Sequence, residues 1–195
     1  MTITTICLIR HGETDWNAEG RIQGRTDVPL NQNGLNQAKK CRDFLKNSEW
    51  DVIITSPLKR AQQTAEIINE ALNLPIIIMD DFIERSYGDA EGMLLEVRRK
   101  FYPDGSYPNQ EERETLNNRV IAGVERIKQK YDGTKVIIVA HGAVINTLLA
   151  TFSNGEIGSG KTRLGNACIS HIHFQNGIWV IKDYNQINHL TKSNI

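Results

Sequence analysis

The sequence carries no excess charge of either sign. Lys plus Arg and Asp plus Glu both number 23, and the formal net charge is zero. A dedicated nucleic-acid binder shows a clear basic excess, so that class is set aside. There is no run of about 18 apolar residues, the length that a membrane span needs, so no membrane partner is expected. Cysteine is scarce and odd in number: Cys7, Cys41 and Cys168, with no CxxC pair. That excludes a disulfide framework and a thiolate metal site, and each thiol reads as a small apolar filler in a reducing compartment. The opening MTITTICLIRHG has no basic stretch and reaches Arg10 after a short apolar run. It does not fit a signal peptide, and the expected location is cytoplasmic. No repeat, low-complexity tract or linker breaks the chain. What remains is 195 residues with 39% apolar content, an ordinary globular composition. Residues 1–195 are expected to form one domain, with a small cap-like insertion at about 85–112.

Apolar periodicity sets the order of elements. Residues 3–9 are β-branched and apolar and read as a buried strand, as do 52–55, 76–79 and 136–140. Leu35, Ala38, Cys41 and Leu45 share one helical face; so do Leu58, Ala61, Ala65, Ile68 and Leu72, and Leu116, Val120, Val124, Ile127 and Tyr131. Ser56-Pro57 reads as an N-cap followed by proline at the first helical position. A further helix is expected from Ala143 to Phe152 and a short one from Leu94 to Phe101. Residues 168–174 and 178–183 are two strands around Asn176-Gly177, the strongest short hairpin signal. Strands alternating with helices predict an α/β fold. It is a three-layer α/β/α sandwich whose mainly parallel sheet gains one antiparallel strand from the C-terminal hairpin.

In such sheets ligands bind beyond the carboxyl ends of the strands. Arg10, His11 and Gly12 follow the first strand, Ser56 and Arg60 the second, Glu84 the third, and His141 and Gly142 the fourth. Two arginines suit a phosphate. Helix N-termini at Pro57 and Ala143 add N–H donors, and Gly12 and Gly142 allow close approach of backbone to ligand. No cysteine is followed six residues later by arginine, and no DxD pair follows a strand, so neither a cysteine nor an aspartate phosphoenzyme is indicated. Several acidic or histidine ligands would be needed for a metal, and Glu84 is the one evident carboxylate. A histidine can itself be a covalent nucleophile, kept neutral by flanking arginines. The second histidine can stabilise charge, and the glutamate can move the proton.

Four segments then resemble the motifs of the histidine phosphatase superfamily, which includes cofactor-dependent phosphoglycerate mutase: Leu8–Asn17 (LIRHGETDWN), Thr55–Ala65 (TSPLKRAQQTA), Glu84–Gly92 (ERSYGDAEG) and Val139–Gly142 (VAHG), in the family's order. The resemblance implies that His11 is the phosphorylated nucleophile and Glu84 the proton donor. Arg10, Arg60 and His141 would hold the phosphoryl group, with Asn17, Gln23 and Gly142 around it. It implies no metal or other cofactor and a small-molecule phosphomonoester as the partner. The 28 residues of 85–112 are fewer than the mutases carry after Glu84, and Ser86-Tyr87-Gly88 stands where they usually have His-Tyr-Gly. Both differences favour a phosphatase over a mutase. The short chain is also similar to α-ribazole phosphatases. Monomer and homodimer both stay open.

Other motifs compete. Gly155–Thr162 (GEIGSGKT) matches the ATP-binding pattern GxxxxGK[ST], but it lies in the order helix–loop–strand, the reverse of what that motif requires. It is expected to be a glycine loop. His171 and His173 share one strand face and read as exposed, and His189 as a surface residue. Arg98-Arg99-Lys100 reads as a solvated helix face that lies within reach of an anionic substrate.

Overall fold

Both faces of the central strands are apolar, and each face finds a different cover. The computed structural model describes residues 3–191. In chain order it forms β1 (Thr4–Arg10), α1 (Asp15–Glu19), α2 (Gln32–Leu45), β2 (Val52–Thr55), α3 (Lys59–Leu72), β3 (Ile76–Ile78), α4 (Leu95–Phe101), α5 (Arg113–Lys130), β4 (Lys135–Ala140), α6 (Gly142–Phe152), β5 (Ile169–Gln175), β6 (Ile178–Gln186) and α7 (Asn188–Thr191). Successive strand residues point to opposite faces. Cys7, Ile9, Ile53, Ile137 and Val139 pack under α2 and α3, against Cys41, Leu45, Ala61, Ala65 and Ile68. Ile6, Leu8, Ile54, Val136 and Ile138 pack on the other side, against Leu116, Val120 and Val124 of α5 and Val144, Ile145 and Leu148 of α6. The result is the expected three-layer sandwich.

The strand order is β3-β2-β4-β1-β5-β6. β1 pairs in parallel with β4, and β2 with β3 and β4, while β5 runs antiparallel to both β1 and β6. β5 is thus the one strand of opposite direction. Its hairpin turns through Asn176 and Gly177, both at positive φ, and closes on Gln175 opposite Ile178. β3 is an edge strand, and Ile76 and Ile78 are exposed. All three cysteines are buried and free.

Four local expectations are corrected. Helix α3 begins at Lys59, with Leu58 at its N-cap, and Pro57 is not its first residue. Ser56 Oγ accepts from the Leu58 N–H at 3.3 Å, too early to cap the helix, and also lies 2.7 Å from the ring of His141; the Lys59 N–H donates to Asp27 Oδ1 at 2.7 Å. Gly12 does not line the cavity described below: a Cβ there would lie 2.5 Å from Gly34 O, so its smallness serves the contact with α2. His189 is buried, not a surface residue, because α7 folds back over α2; its Nε2 lies 3.0 Å from Ala167 O and 3.4 Å from Cys41 Sγ. His171 and His173 are half-buried, and His171 Nδ1 sits 2.9 Å from Asp183 Oδ1 on β6.

Candidate active site

The parallel pairing of β1 with β4 puts Arg10 opposite Ala140, so the residues that follow leave the sheet side by side. The His11 N–H donates to Ala140 O at 3.0 Å, and the His11 and His141 rings stand 5.2 Å apart. His11 Nδ1 lies 2.6 Å from Gly12 O. A carbonyl only accepts, so Nδ1 carries the proton and Nε2 keeps its lone pair. Burial, and then the charges of Arg60 and Arg10, hold the His11 pKa well below its ordinary 6.5. The same influences, with His11 itself, depress His141. Both rings are therefore neutral at pH 7. His141 is fully buried against His11 and Ser56, behind the cavity wall that His11 helps to form.

Arg60 reaches in from the first turn of α3 and is 1% exposed. Its guanidinium donates to Gly24 O at 2.7 Å and Thr26 O at 2.9 Å, and burial brings its pKa down to about 10, still charged at pH 7. Arg10 donates to Leu164 O at 2.5 Å. Arg10 Nε, Arg60 Nε and His141 Nδ1 are buried without a hydrogen-bond partner. Leaving one buried polar group unpaired costs about 1–3 kcal/mol. Three of them beside one neutral histidine form a site built for an anion.

Glu84 enters from the turn after β3. Its Oε1 accepts from Arg85 N at 2.9 Å and its Oε2 from Ala143 N at 3.2 Å. The first turn of α6, which begins at Gly142 with His141 as N-cap, therefore has one of its N–H groups engaged by Glu84, and that N–H is not free for a phosphate. A Cβ on Gly142 would stand 3.8 Å from Arg10 Nε and 4.0 Å from Glu84 Oε2, so this bare backbone marks where the two side chains converge. Asn17 Oδ1 accepts from Asn166 Nδ2 at 3.0 Å and from Thr14 N at 3.2 Å, and Gln23 Oε1 lies 2.9 Å from Thr14 Oγ1. With both amide oxygens engaged, the amide NH₂ groups of Asn17 and Gln23 remain as donors.

Arg10, His11, Asn17, Gln23, Arg60, Glu84 and Gly142 all border one cavity of about 900 Å³. Residues 6–187 match the family model of the histidine phosphatase superfamily, branch 1. The chain belongs to this superfamily. It is 54% identical, over 97% of its length and 98% of the relative's, to the Bacillus subtilis protein named uncharacterized phosphatase PhoE. It is 32% identical to the metal-independent phosphoserine phosphatase of Arabidopsis thaliana, over 97% of this chain and 84% of that one. Among solved structures, Bacillus stearothermophilus YhfR superposes with a TM-score of 0.89 at 28% identity, over 96% of this chain and 99% of that one.

The histidine phosphatase cavity also holds residues that sequence reading missed. Asn146 and Thr147 line it one helical turn beyond Gly142, a spacing that could have flagged them. Arg85, Arg113 and Arg163 line it too, and nothing local in the sequence marks them. Of the basic run on α4, Arg98 and Arg99 face the cavity. The glycine loop also borders it, but not as a nucleotide cradle. The N–H groups of Gly155, Glu156, Ile157, Gly158, Ser159, Lys161 and Thr162 all donate within the loop or to α6. Among the described residues no group of three or more His, Cys, Asp or Glu side chains could hold a metal ion, and no helix is long and apolar enough to cross a membrane.

Proposed function

We propose that this chain is a phosphomonoesterase that works through a covalent phosphohistidine on His11, as one catalytic domain. His11 Nε2 attacks phosphorus as the bond to the leaving oxygen breaks, and Glu84 gives that oxygen its proton. Water then attacks the phosphohistidine, Glu84 takes a proton from it, the P–N bond breaks and phosphate departs. Arg10 and Arg60 neutralise the transferring group, the neutral His141 hydrogen-bonds to it, and Asn17 and Gln23 donate to its oxygens, beside the bare backbone of Gly142. The observation that carries this reading is the set of three buried, unpartnered nitrogens beside a neutral His11. The substrate is a small phosphorylated metabolite, and the chemistry runs without a metal ion. The relative named metal-independent phosphoserine phosphatase supports both points.

The test is hydrolysis of p-nitrophenyl phosphate in EDTA. Wild type is expected to keep its activity and His11→Ala to lose it. Arg60→Ala is expected to lower kcat/KM by two decades or more, since one such donor is worth about 3–4 kcal/mol in the transition state. Full activity in His11→Ala, or loss of wild-type activity in EDTA, overturns the proposal. Interconversion of 2- and 3-phosphoglycerate faster than hydrolysis would place the chain with the mutases instead.

A further inference from the structure

A chain of zero net charge has built a cavity of one sign. Nine cationic side chains line it, against a single carboxylate, Glu84. Arg10 and Arg60 serve the phosphoryl end, and Arg21 is paired with Glu19. The other six are Arg85, Arg98, Arg99, Arg113, Lys161 and Arg163. None of these forms an ion pair among the described residues, whereas Arg25, Arg42, Arg119 and Arg126, which do not line the cavity, all do. One phosphoryl group does not need so many unpaired cations. Gathering like charges is unfavourable unless an anion answers them.

Two of the six stand on the glycine loop that follows α6, and this loop is braced. Asn146 Nδ2 donates to Thr162 O at 3.1 Å, the Gly158 N–H donates to Thr162 Oγ1 at 3.0 Å, and Lys161 Nζ donates to Gly155 O at 2.5 Å. Gly158 lies so close to α6 that a Cβ would come within 2.4 Å of Asn146 O. The far end of the loop is tied to the catalytic centre, because Leu164 O accepts from Arg10. The loop therefore fixes the backbone of Lys161 and Arg163 beside the reacting end, and both exposed side chains border the cavity. Arg98 on α4 and Asn146 on α6 bring a further donor and acceptor, since Arg98 Nε and Asn146 Oδ1 are both buried and unpartnered.

From this we infer that Lys161 and Arg163 determine specificity: they bind a second anionic group, such as a carboxylate, on the leaving-group side of the substrate. The inference rests on the phosphatase reading for where the phosphoryl group sits. It assigns the residues of the GEIGSGKT segment a purpose, with the cations of the loop facing the substrate while the amides of the loop bond to the protein.

The test is a matched pair of esters, D-3-phosphoglycerate and sn-glycerol 3-phosphate, which differ by a carboxylate in place of a hydroxymethyl group. Binding is measured by calorimetry to His11→Ala protein, which does not turn them over. The carboxylate ester is expected to bind about tenfold more tightly, the scale of one charge-assisted contact. Adding Lys161→Gln and Arg163→Gln should abolish that ratio, and adding Lys161→Arg alone should keep it. Equal affinity for the two esters, a ratio untouched by removal of both charges, or a ratio lost equally in Lys161→Arg would each overturn the inference. Failure of the phosphatase reading shows separately, as absence of hydrolysis by the wild type, and leaves the binding ratio to decide the inference.

Discussion

His11 shows how one residue is tuned by its neighbours. A strand-end histidine is ordinary; one whose Nδ1 is bound to Gly12 O and whose pKa is depressed by burial, Arg60 and Arg10 is a neutral ring with a defined tautomer and a free Nε2 lone pair, as the proposed nucleophile requires. Two pH effects are expected. The acid limb of kcat/KM, which reports the free enzyme, should lie below pH 6.5 where His11 sets it. Stability should follow the same groups. Above about pH 6.5 His11 and His141 are neutral in both folded and unfolded chains and cost nothing. Below it the unfolded chain takes up protons that the folded one refuses. Stability then falls as pH falls, by up to about 1.4 kcal/mol per pH unit for each ring, until the depressed folded values are reached. Urea midpoints at pH 7 and pH 5.5 check this: the drop should be smaller in His11→Gln/His141→Gln than in wild type.

Among the elements, the loop after β1 matters most for the site. It carries His11 and then crosses the start of α2, where Gly34 N–H donates to Asn31 Oδ1 at 2.8 Å. A Cβ on Gly34 would stand 2.0 Å from Glu13 O, so backbone would have to move. Gly34→Ala is expected to destabilise the protein by about 1–3 kcal/mol, the usual cost of overpacking, and to lower kcat by displacing His11. A thermal melt and a p-nitrophenyl phosphate assay on one sample check both. The short helix α1 was missed: it has no apolar stripe of the kind that announces a longer helix, and its start is held by a capping box, Thr14 accepting from Asn17 N and Asn17 Oδ1 from Thr14 N. The start of α3 misled for the opposite reason. Ser56-Pro57 looks like a helix start, but Ser56 Oγ accepts from the Leu58 N–H at 3.3 Å in the turn before the helix and also meets His141, while the helix itself begins at Lys59.

Across the whole molecule the charge is balanced in number and not in place. A cavity with nine cations and one carboxylate should draw anionic esters by long-range attraction, which salt screens within about 8–10 Å at physiological strength. For 3-phosphoglycerate, kcat/KM should therefore fall several-fold as ionic strength rises from about 0.01 to 0.3 M, while kcat changes little. Steady-state kinetics at a series of salt concentrations checks it. A flat kcat/KM would show that the cavity's charge does not steer its ligand.

The sequence by itself determined the sheet, its main helices and the family to which the chain belongs. Strand and helix periodicity are local, and the four motifs lie at strand ends, where the α/β topology brings them together whatever the details of packing. The hairpin was equally legible, because Asn176-Gly177 dictates its own turn. Only the tertiary structure decided the rest. Arg113 and Arg163 became cavity residues because α5 and the glycine loop pack over the same edge from points 50 residues apart in the chain. His189 was buried because α7 returns across Cys41, a contact between residues 148 positions apart. Seven of the eight GEIGSGKT amides were committed to α6 and to the loop itself, and no pattern of residue types records which partner a backbone N–H will find. Long-range contacts carry no local signature, and in this protein they set the shape and charge of the cavity wall around Arg113 and Arg163.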